Sequence, residues 1–229
     1  TVDISDAQQV ELDGLNLYGG NPAISIRNTQ GFRLLNSACR GIGGPWTFRH
    51  SLKYRSMESK LIKAGEFYMP EGNEDFEFAY CEFTDSVDGV FIGNVNGVKL
   101  HHCYLDNIYD DGIFLTAHTG YDGKAPGGNI HIYQNLLSRC LTTFAFGHGH
   151  GRQKAIAPGV MQTGAGLWIY RNVFDFSRPV HYSIPTKPDD PQEITAAGRI
   201  AADHGSPLWE PMHIYHNTVL TRDDQGGRG

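Results

Sequence analysis

The sequence predicts an all-β protein whose strands wind into a parallel β-helix, a solenoid of stacked coils. A short apolar pattern recurs along the chain, its base period is 22 residues, and apolar residues alternate within each unit as they do in a strand. Each unit has two apolar residues separated by one position, then usually a small polar residue or Cys, then a third apolar residue. The units begin at Val10, Phe32, Phe76, Val98, Ile130, Leu167 and Met212, which are 22, 44, 22, 32, 37 and 45 residues apart.

Each repeat holds three short strands. Residues 24–32 match residues 90–98 almost position by position, and both segments open with an alternating apolar strand that precedes a unit. The unit itself supplies a second strand at its start and a third strand after the small polar residue. Three strands and their turns in 22 residues predict coils that pair with their neighbours about 4.8 Å above and below.

The turn between the second and third strands carries a repeated polar residue. Asn135, Asn172 and Asn217 occupy the same position in successive units. Asn tolerates left-handed backbone and can bond to an Asn one coil away, which predicts a structural ladder. Cys81 and Cys103 share this position, and we expect buried free thiols because a disulfide between neighbouring parallel strands would be strained.

Composition excludes several classes of protein. Charged residues make up 19% of the 229 residues and hydrophobic residues 40%, which is typical of a folded domain. No apolar run approaches the ~20 residues of a spanning helix, and a net charge of −6 argues against a basic nucleic-acid-binding surface. We therefore predict one domain, residues 1–229, that binds neither nucleic acid nor membrane. We also expect the chain to be incomplete, because it ends soon after its last unit.

The repeat and its Asn turn resemble the pectin-lyase-like superfamily of right-handed parallel β-helices, over essentially the whole chain. The superfamily includes polysaccharide lyases, glycoside hydrolases, epimerases, esterases and phage tailspikes. The resemblance implies right-handed winding, an Asn ladder between the second and third sheets, and substrate along the outside of the first sheet. By this analogy the first sheet contains residues 24–26, 90–92, 113–115 and the segment around 144–146.

Insertions into the repeat predict long loops before and after the first sheet, which would wall a groove. The wall before it, roughly residues 40–64, is rich in cations and aromatics. Such residues suit an acidic polysaccharide, because guanidinium pairs with carboxylate or sulfate; scattered surface charge is the alternative. The candidate substrate-binding residues of this wall are Arg49, Lys53, Tyr54 and Arg55.

The opposite wall, near residues 117–129, 147–166 and 185–211, is rich in His. His118, His148 and His150 are candidates for general acid or base catalysis, since imidazole titrates near neutral pH. Metal binding and simple hydrogen bonding to the backbone are the alternatives. A separate pattern, Asp190-Pro191 followed by Glu193, predicts a short helix over residues 191–203.

Three carboxylates precede strands of the predicted first sheet in successive coils. Asp88 and Asp111 should stack, and Asp110 adjoins them. Two carboxylates on adjacent strands either share a proton or bind a cation. A pair that shares a proton can act as general acid and base on a glycosidic bond. We predict all three as catalytic candidates and Asp88 with Asp111 as a possible Ca²⁺ site. The alternative is an Asp-Gly turn without chemistry.

The carboxylates also resemble a motif of the polygalacturonase family. There an Asp-Gly turn, an Asp-Asp pair, a Gly-His-Gly and an Arg-x-Lys follow in that order, as do Asp88, Asp110-Asp111, His148 and Arg152 with Lys154 here. The resemblance implies that Arg152 and Lys154 bind substrate.

Aromatic residues predict two rows outside the sheets. Tyr68, Phe91 and Phe114 should face outward from the first sheet, where they would stack on sugars or lie beneath a loop. A row on the adjacent sheet holds His101, Tyr133, Tyr170 and Tyr215, beside Glu77, Lys99, His131, Trp168 and His213. We interpret this second row as structural or as an interface.

These features together predict a secreted or periplasmic carbohydrate-active enzyme. It would be a polysaccharide lyase or a glycoside hydrolase that acts on an acidic polysaccharide in a groove over the first sheet. The alternative is a non-catalytic structural, adhesive or tailspike-like β-helix that self-associates through exposed ends or side-chain ladders.

Overall fold

The computed structural model describes residues 1–41, 60–65, 72–93, 95–116, 128–147, 166–187, 190–196, 198–204 and 212–222. Every regular element in these ranges is a β-strand, so the all-β prediction is confirmed. None of the described segments forms a helix with the length and apolar character needed to cross a membrane.

Seven strands form one parallel sheet in chain order. They are β2 (Gln8–Asp13), β5 (Gln30–Leu35), β8 (Glu74–Ala79), β11 (Asn96–His101), β13 (Gly128–Tyr133), β15 (Leu167–Tyr170) and β20 (Met212–Tyr215). Each predicted unit start pairs with the next one, from Val10 opposite Phe32 to Leu167 opposite Met212. The repeat therefore reflects strand register, because alternating apolar positions must face the same side of the sheet.

A second sheet has twelve strands, all paired in parallel. They are β1 (Val2–Ser5), β3 (Asn16–Tyr18), β4 (Ile24–Arg27), β6 (Ala38–Arg40), β7 (Lys60–Ala64), β9 (Glu82–Ser86), β10 (Asp88–Ile92), β12 (Tyr104–Thr116), β14 (Leu136–Gly147), β16 (Val173–Asp175), β19 (Arg199–His204) and β21 (Thr218–Leu220). The sheet is strongly curled because β12 pairs with β9 through its first half and with β10 through its second half.

The helix predicted over residues 191–203 is wrong. Residues Asp190–Ala196 form β18, which pairs antiparallel with β17 (Val180–Lys187), and β19 adds to β14 in parallel. The capping signals around Pro191 are local and weak. The strand edges of β14 and β17 offer backbone hydrogen bonds that override them.

The inward-facing positions of the two large sheets form one apolar core. Its largest fully buried side chains include Phe32, Phe76, Phe78, Phe83, Phe144 and Phe174. All four cysteines are buried and free, which confirms the prediction for Cys81 and Cys103. The Cys81 thiol donates to the Ala79 carbonyl and the Cys103 thiol to the His101 carbonyl, each at 3.2 Å.

The turn after each strand of the seven-stranded sheet has a constant geometry. Its first residue has a positive φ, for example 47° at Asn36, 58° at Tyr80 and 54° at His102. The next residue points inward, and from Asn135 onward this position forms the predicted ladder. The Asn135 amide donates to Asn172 Oδ1 at 2.9 Å, and the Asn172 amide donates to Asn217 Oδ1 at 3.0 Å.

Candidate functional site

Two predicted acids meet on the curled sheet. The backbone N–H of Asp111 donates to Asp88 Oδ1 at 3.4 Å, so the carboxylates lie on adjacent strands as expected. Lys60 pairs with Asp88 in the register of β7 and β10, and Thr142 pairs with Asp111 across β12 and β14. Lys60, Asp88 and Asp111 are 5%, 6% and 7% exposed, so this column of ionisable side chains is almost entirely withdrawn from water. We call Lys60, Asp88 and Asp111 the acid column.

The surroundings of Asp88 raise the pKa of its carboxyl group. Burial raises the pKa of the Asp88 carboxyl well above its ordinary value, the negative charge of Asp111 raises it further, and the positive charge of Lys60 opposes both. Asp110, which is partly buried, adds a smaller effect that raises the same pKa. Such a carboxyl holds its proton at a higher pH than an ordinary one, which is the property of a general acid.

Two glycines allow the acid column to form. A Cβ on Gly89 would lie 2.4 Å from the Gly112 carbonyl oxygen, and a Cβ on Gly112 would lie 2.9 Å from the Thr143 carbonyl oxygen. Both obstacles are backbone atoms, which cannot rotate away. The glycine after each Asp is therefore required by the close approach of successive strands.

We expect Gly89→Ala to lower the free energy of unfolding by about 3 kcal/mol, because the added methyl overpacks against backbone. The control is Gly14→Ala, whose new Cβ meets no atom within 4 Å. It costs only about 1 kcal/mol, from its left-handed backbone. Urea denaturation of both variants measures the difference, and an equal loss would contradict the steric argument.

The outward aromatics beside the acid column are not an open platform. Phe91 is fully buried, Phe114 is partly buried, and their ring centroids lie 5.7 Å apart. Lys60 Nζ lies 4.9 Å from the centroid of the Phe91 ring. Burial of an aromatic side chain is favourable, and here it removes Phe91 from contact with any ligand at the surface. The burial of Phe91 agrees with the alternative expectation that this ring is covered, and stacking of a sugar on Phe114 stays a prediction.

The remaining site predictions lie outside the described residues. They concern Arg49, Lys53, Tyr54, Arg55, Tyr68, His118, His148, His150, Arg152 and Lys154. The approach of the predicted groove walls to the acid column therefore stays a prediction.

The possible Ca²⁺ site also stays a prediction. Within the described part of the chain, no three His, Cys, Asp or Glu side chains are placed to hold a metal. Asp88 and Asp111 would be its two carboxylate ligands, and the Lys60 ammonium in register with Asp88 supplies a positive charge that competes with a cation there.

Three further residues of this column were not predicted as site residues. Lys60 was assigned to the basic loop, yet it lies in β7 in register with Asp88. Thr142 and Arg199 extend the same column on β14 and β19, where Arg199 Nε donates to Thr142 Oγ1 at 2.9 Å. These residues carry no local motif, and only the strand register brings them together.

Two columns of aromatic rings run along the outer face of the last four strands of the seven-stranded sheet, as predicted. His101, Tyr133, Tyr170 and Tyr215 stack with centroids 4.8, 5.1 and 5.2 Å apart and nearly parallel planes. His131, Trp168 and His213 stack at 4.5 and 5.6 Å. His101 also contacts Glu77, with Nε2 3.0 Å from Oε1. The rings lie against one another, so the columns present edges to solvent.

The chain was compared with models of known protein families, with curated proteins and with solved structures, and none of the three comparisons finds a match.

Proposed function

We propose that the strands wind as a right-handed parallel β-helix. The pairing of each unit start with the next supports this proposal, as does the curled sheet in which β12 joins two groups of strands. In this arrangement the residues of the acid column occupy the same position in successive coils, at the start of the first sheet.

We propose that the protein is an enzyme that cleaves an acidic polysaccharide at the acid column. The observation that carries this is a buried pair of carboxylates in which Asp88 has a strongly raised pKa. Both hydrolysis and β-elimination require a proton for the departing glycosidic oxygen, and a protonated Asp88 provides one. Asp111 is then the partner carboxylate, and Lys60 supplies positive charge beside the pair.

The proposed substrate class rests on the sequence. The cations of residues 40–64 would bind the acidic groups of the polymer, and His118, His148 or His150 would assist proton transfer. A secreted or periplasmic location fits a polymeric substrate of this kind.

A non-catalytic role as a structural, adhesive or tailspike-like protein is the second candidate. The aromatic columns favour it, because Tyr and Trp are enriched in interfaces and Tyr215 remains 42% exposed. In that case the columns would mediate self-association.

The test is a screen of the protein against polygalacturonate, alginate and sulfated polysaccharides. Reducing ends report hydrolysis, and the absorbance of unsaturated products reports elimination. We expect activity on at least one polymer, reduced by at least about 100-fold in Asp111→Asn. An inert wild-type chain that self-associates in sedimentation would instead support the structural role, and an active Asp111→Asn variant would exclude the acid column as the site.

A further inference from the structure

A groove lies away from the acid column, at the turn that follows the seven-stranded sheet. The groove is open, has a volume of about 630 Å³ and lies entirely within the described residues. Its walls include Asn16, Asn36, Arg40, Tyr80, Glu82 and His102. None of these residues belongs to the acid column.

The groove exists because side-chain size changes along one column of turn residues. The positive-φ position of the turn is Gly14 in the first unit and Asn36 in the second, and Tyr80 and His102 follow. The small residues leave space that the large ones would fill. His102 stacks on the Tyr80 ring at 4.8 Å with planes 22° apart, so one face of that ring is covered. Tyr80 nevertheless remains 57% exposed and lines the groove.

Planar polar groups are held in place beside this ring. The Arg40 guanidinium donates to both carboxylate oxygens of Glu82, from Nε and Nη2 at 2.9 Å each. Arg40 Nη1 donates to Asn16 Oδ1 at 2.6 Å, and Asn36 Nδ2 donates to Asp13 Oδ1 at 2.9 Å. A guanidinium has five donors and a carboxylate about four acceptor positions, so these groups keep hydrogen-bonding capacity for a ligand.

The charge in the groove selects the class of ligand. Glu82 neutralises Arg40 through a bidentate ion pair, so the groove has no excess of positive charge to attract an anion. What remains is an aromatic ring with fixed hydrogen-bond donors and acceptors around it. A neutral sugar matches this set, because it has an apolar ring face and hydroxyl groups at its rim.

We propose that this groove binds a neutral oligosaccharide, with one sugar ring stacked on Tyr80 and its hydroxyls bonded to Arg40, Glu82 and the Asn side chains. The site does not depend on the proposed catalysis at Asp88. It would bind a neutral portion of a glycan and take no part in bond cleavage.

The test is calorimetric titration of the full chain with cellohexaose, xylohexaose and mannohexaose, with trigalacturonate as the acidic comparison. We expect a dissociation constant on the order of 0.1–1 mM for at least one neutral probe, since few groups contact the ligand. Tyr80→Ala should weaken binding at least about tenfold, whereas Tyr80→Phe should retain it because the ring remains.

The matched control is Tyr215→Ala, which removes a tyrosine that is 42% exposed and lies outside the groove, on the last strand of the seven-stranded sheet. It should leave the affinity unchanged, and circular dichroism should show the same fold in all three variants. The proposal is overturned if no neutral probe binds, if only trigalacturonate binds, or if Tyr80→Ala and Tyr215→Ala bind equally well. Binding here and polysaccharide cleavage at the acid column are measured separately, so either can fail alone.

Discussion

Asp88→Asn is expected to increase the free energy of unfolding at neutral pH and to remove polysaccharide-cleaving activity. In the folded protein, burial and the charge of Asp111 raise the pKa of Asp88 well above its ordinary value of 3.8. An ionised Asp88 therefore destabilises the fold, and Asn removes that cost. We expect a gain on the order of 1 kcal/mol, the size of effect typical when a strained functional residue is replaced.

The stability difference between Asp88→Asn and wild type is expected to depend on pH. Well below pH 3.8, the ordinary pKa of an Asp side chain, the carboxyl is protonated in both the folded and the unfolded chain, and its pH-dependent effect on stability vanishes. As pH rises, the unfolded chain loses the proton first, so the wild type loses stability until the pH passes the raised pKa of folded Asp88. The difference between Asp88→Asn and wild type should grow through this range and then level off.

Denaturant unfolding of both proteins from pH 4 to pH 8 measures the effect. Asp110→Asn is the matched control, because Asp110 is only partly buried and should change the free energy of unfolding by less than about 0.5 kcal/mol. Activity of Asp88→Asn should fall at least about 100-fold. A variant that is less stable than wild type at pH 7 would show that ionised Asp88 holds the fold together, which would contradict its assignment as an acid.

Asn172→Ala is expected to lower the free energy of unfolding by about 3 kcal/mol or more. Asn172 is 1% exposed, and its Oδ1 accepts from both the backbone and the side chain of Asn135, at 3.0 and 2.9 Å. Its amide donates to the Ile132 carbonyl at 3.0 Å. Alanine would leave the buried Asn135 N–H and the Ile132 carbonyl without partners, and each such loss costs about 1–3 kcal/mol.

Asn217→Ala provides the comparison within the same ladder. Asn217 makes equivalent hydrogen bonds to Asn172 and to the Ile169 carbonyl, but these bonds are only partly buried. Water can replace them, so the loss should be about half as large. Urea denaturation measures both variants. Equal losses of unfolding free energy would mean that burial of the Asn side chain does not control the size of the loss.

Local sequence predicted the parts of the fold that repeat. Alternating apolar residues such as Val98 and Leu100 face one side of any strand, so their recurrence indicated both the strand and its register. Asparagine recurs at the position of Asn172 for an equally local reason. The turn needs a side chain there that can form hydrogen bonds with neighbouring backbone groups. The proximity of Asp88 to Asp111 followed from that register.

Contacts between insertions and sheets could not be predicted in the same way. The segment that contains Ile200 was expected to be helical, yet it forms a strand because β14 presents an edge to it. Phe91 was expected to face outward and to be either exposed or covered by a loop, and only the structure shows that it is fully buried.

The sequence by itself determined the all-β class, the parallel register of the repeats, the Asn ladder and the aromatic columns, because each follows from side-chain alternation repeated along the chain. Only the tertiary structure decided that Lys60 joins the two acids, that burial raises the pKa of Asp88, and that small turn residues beside Tyr80 open a groove. Desolvation and shape depend on what surrounds a residue in space, and those neighbours lie far away along the chain.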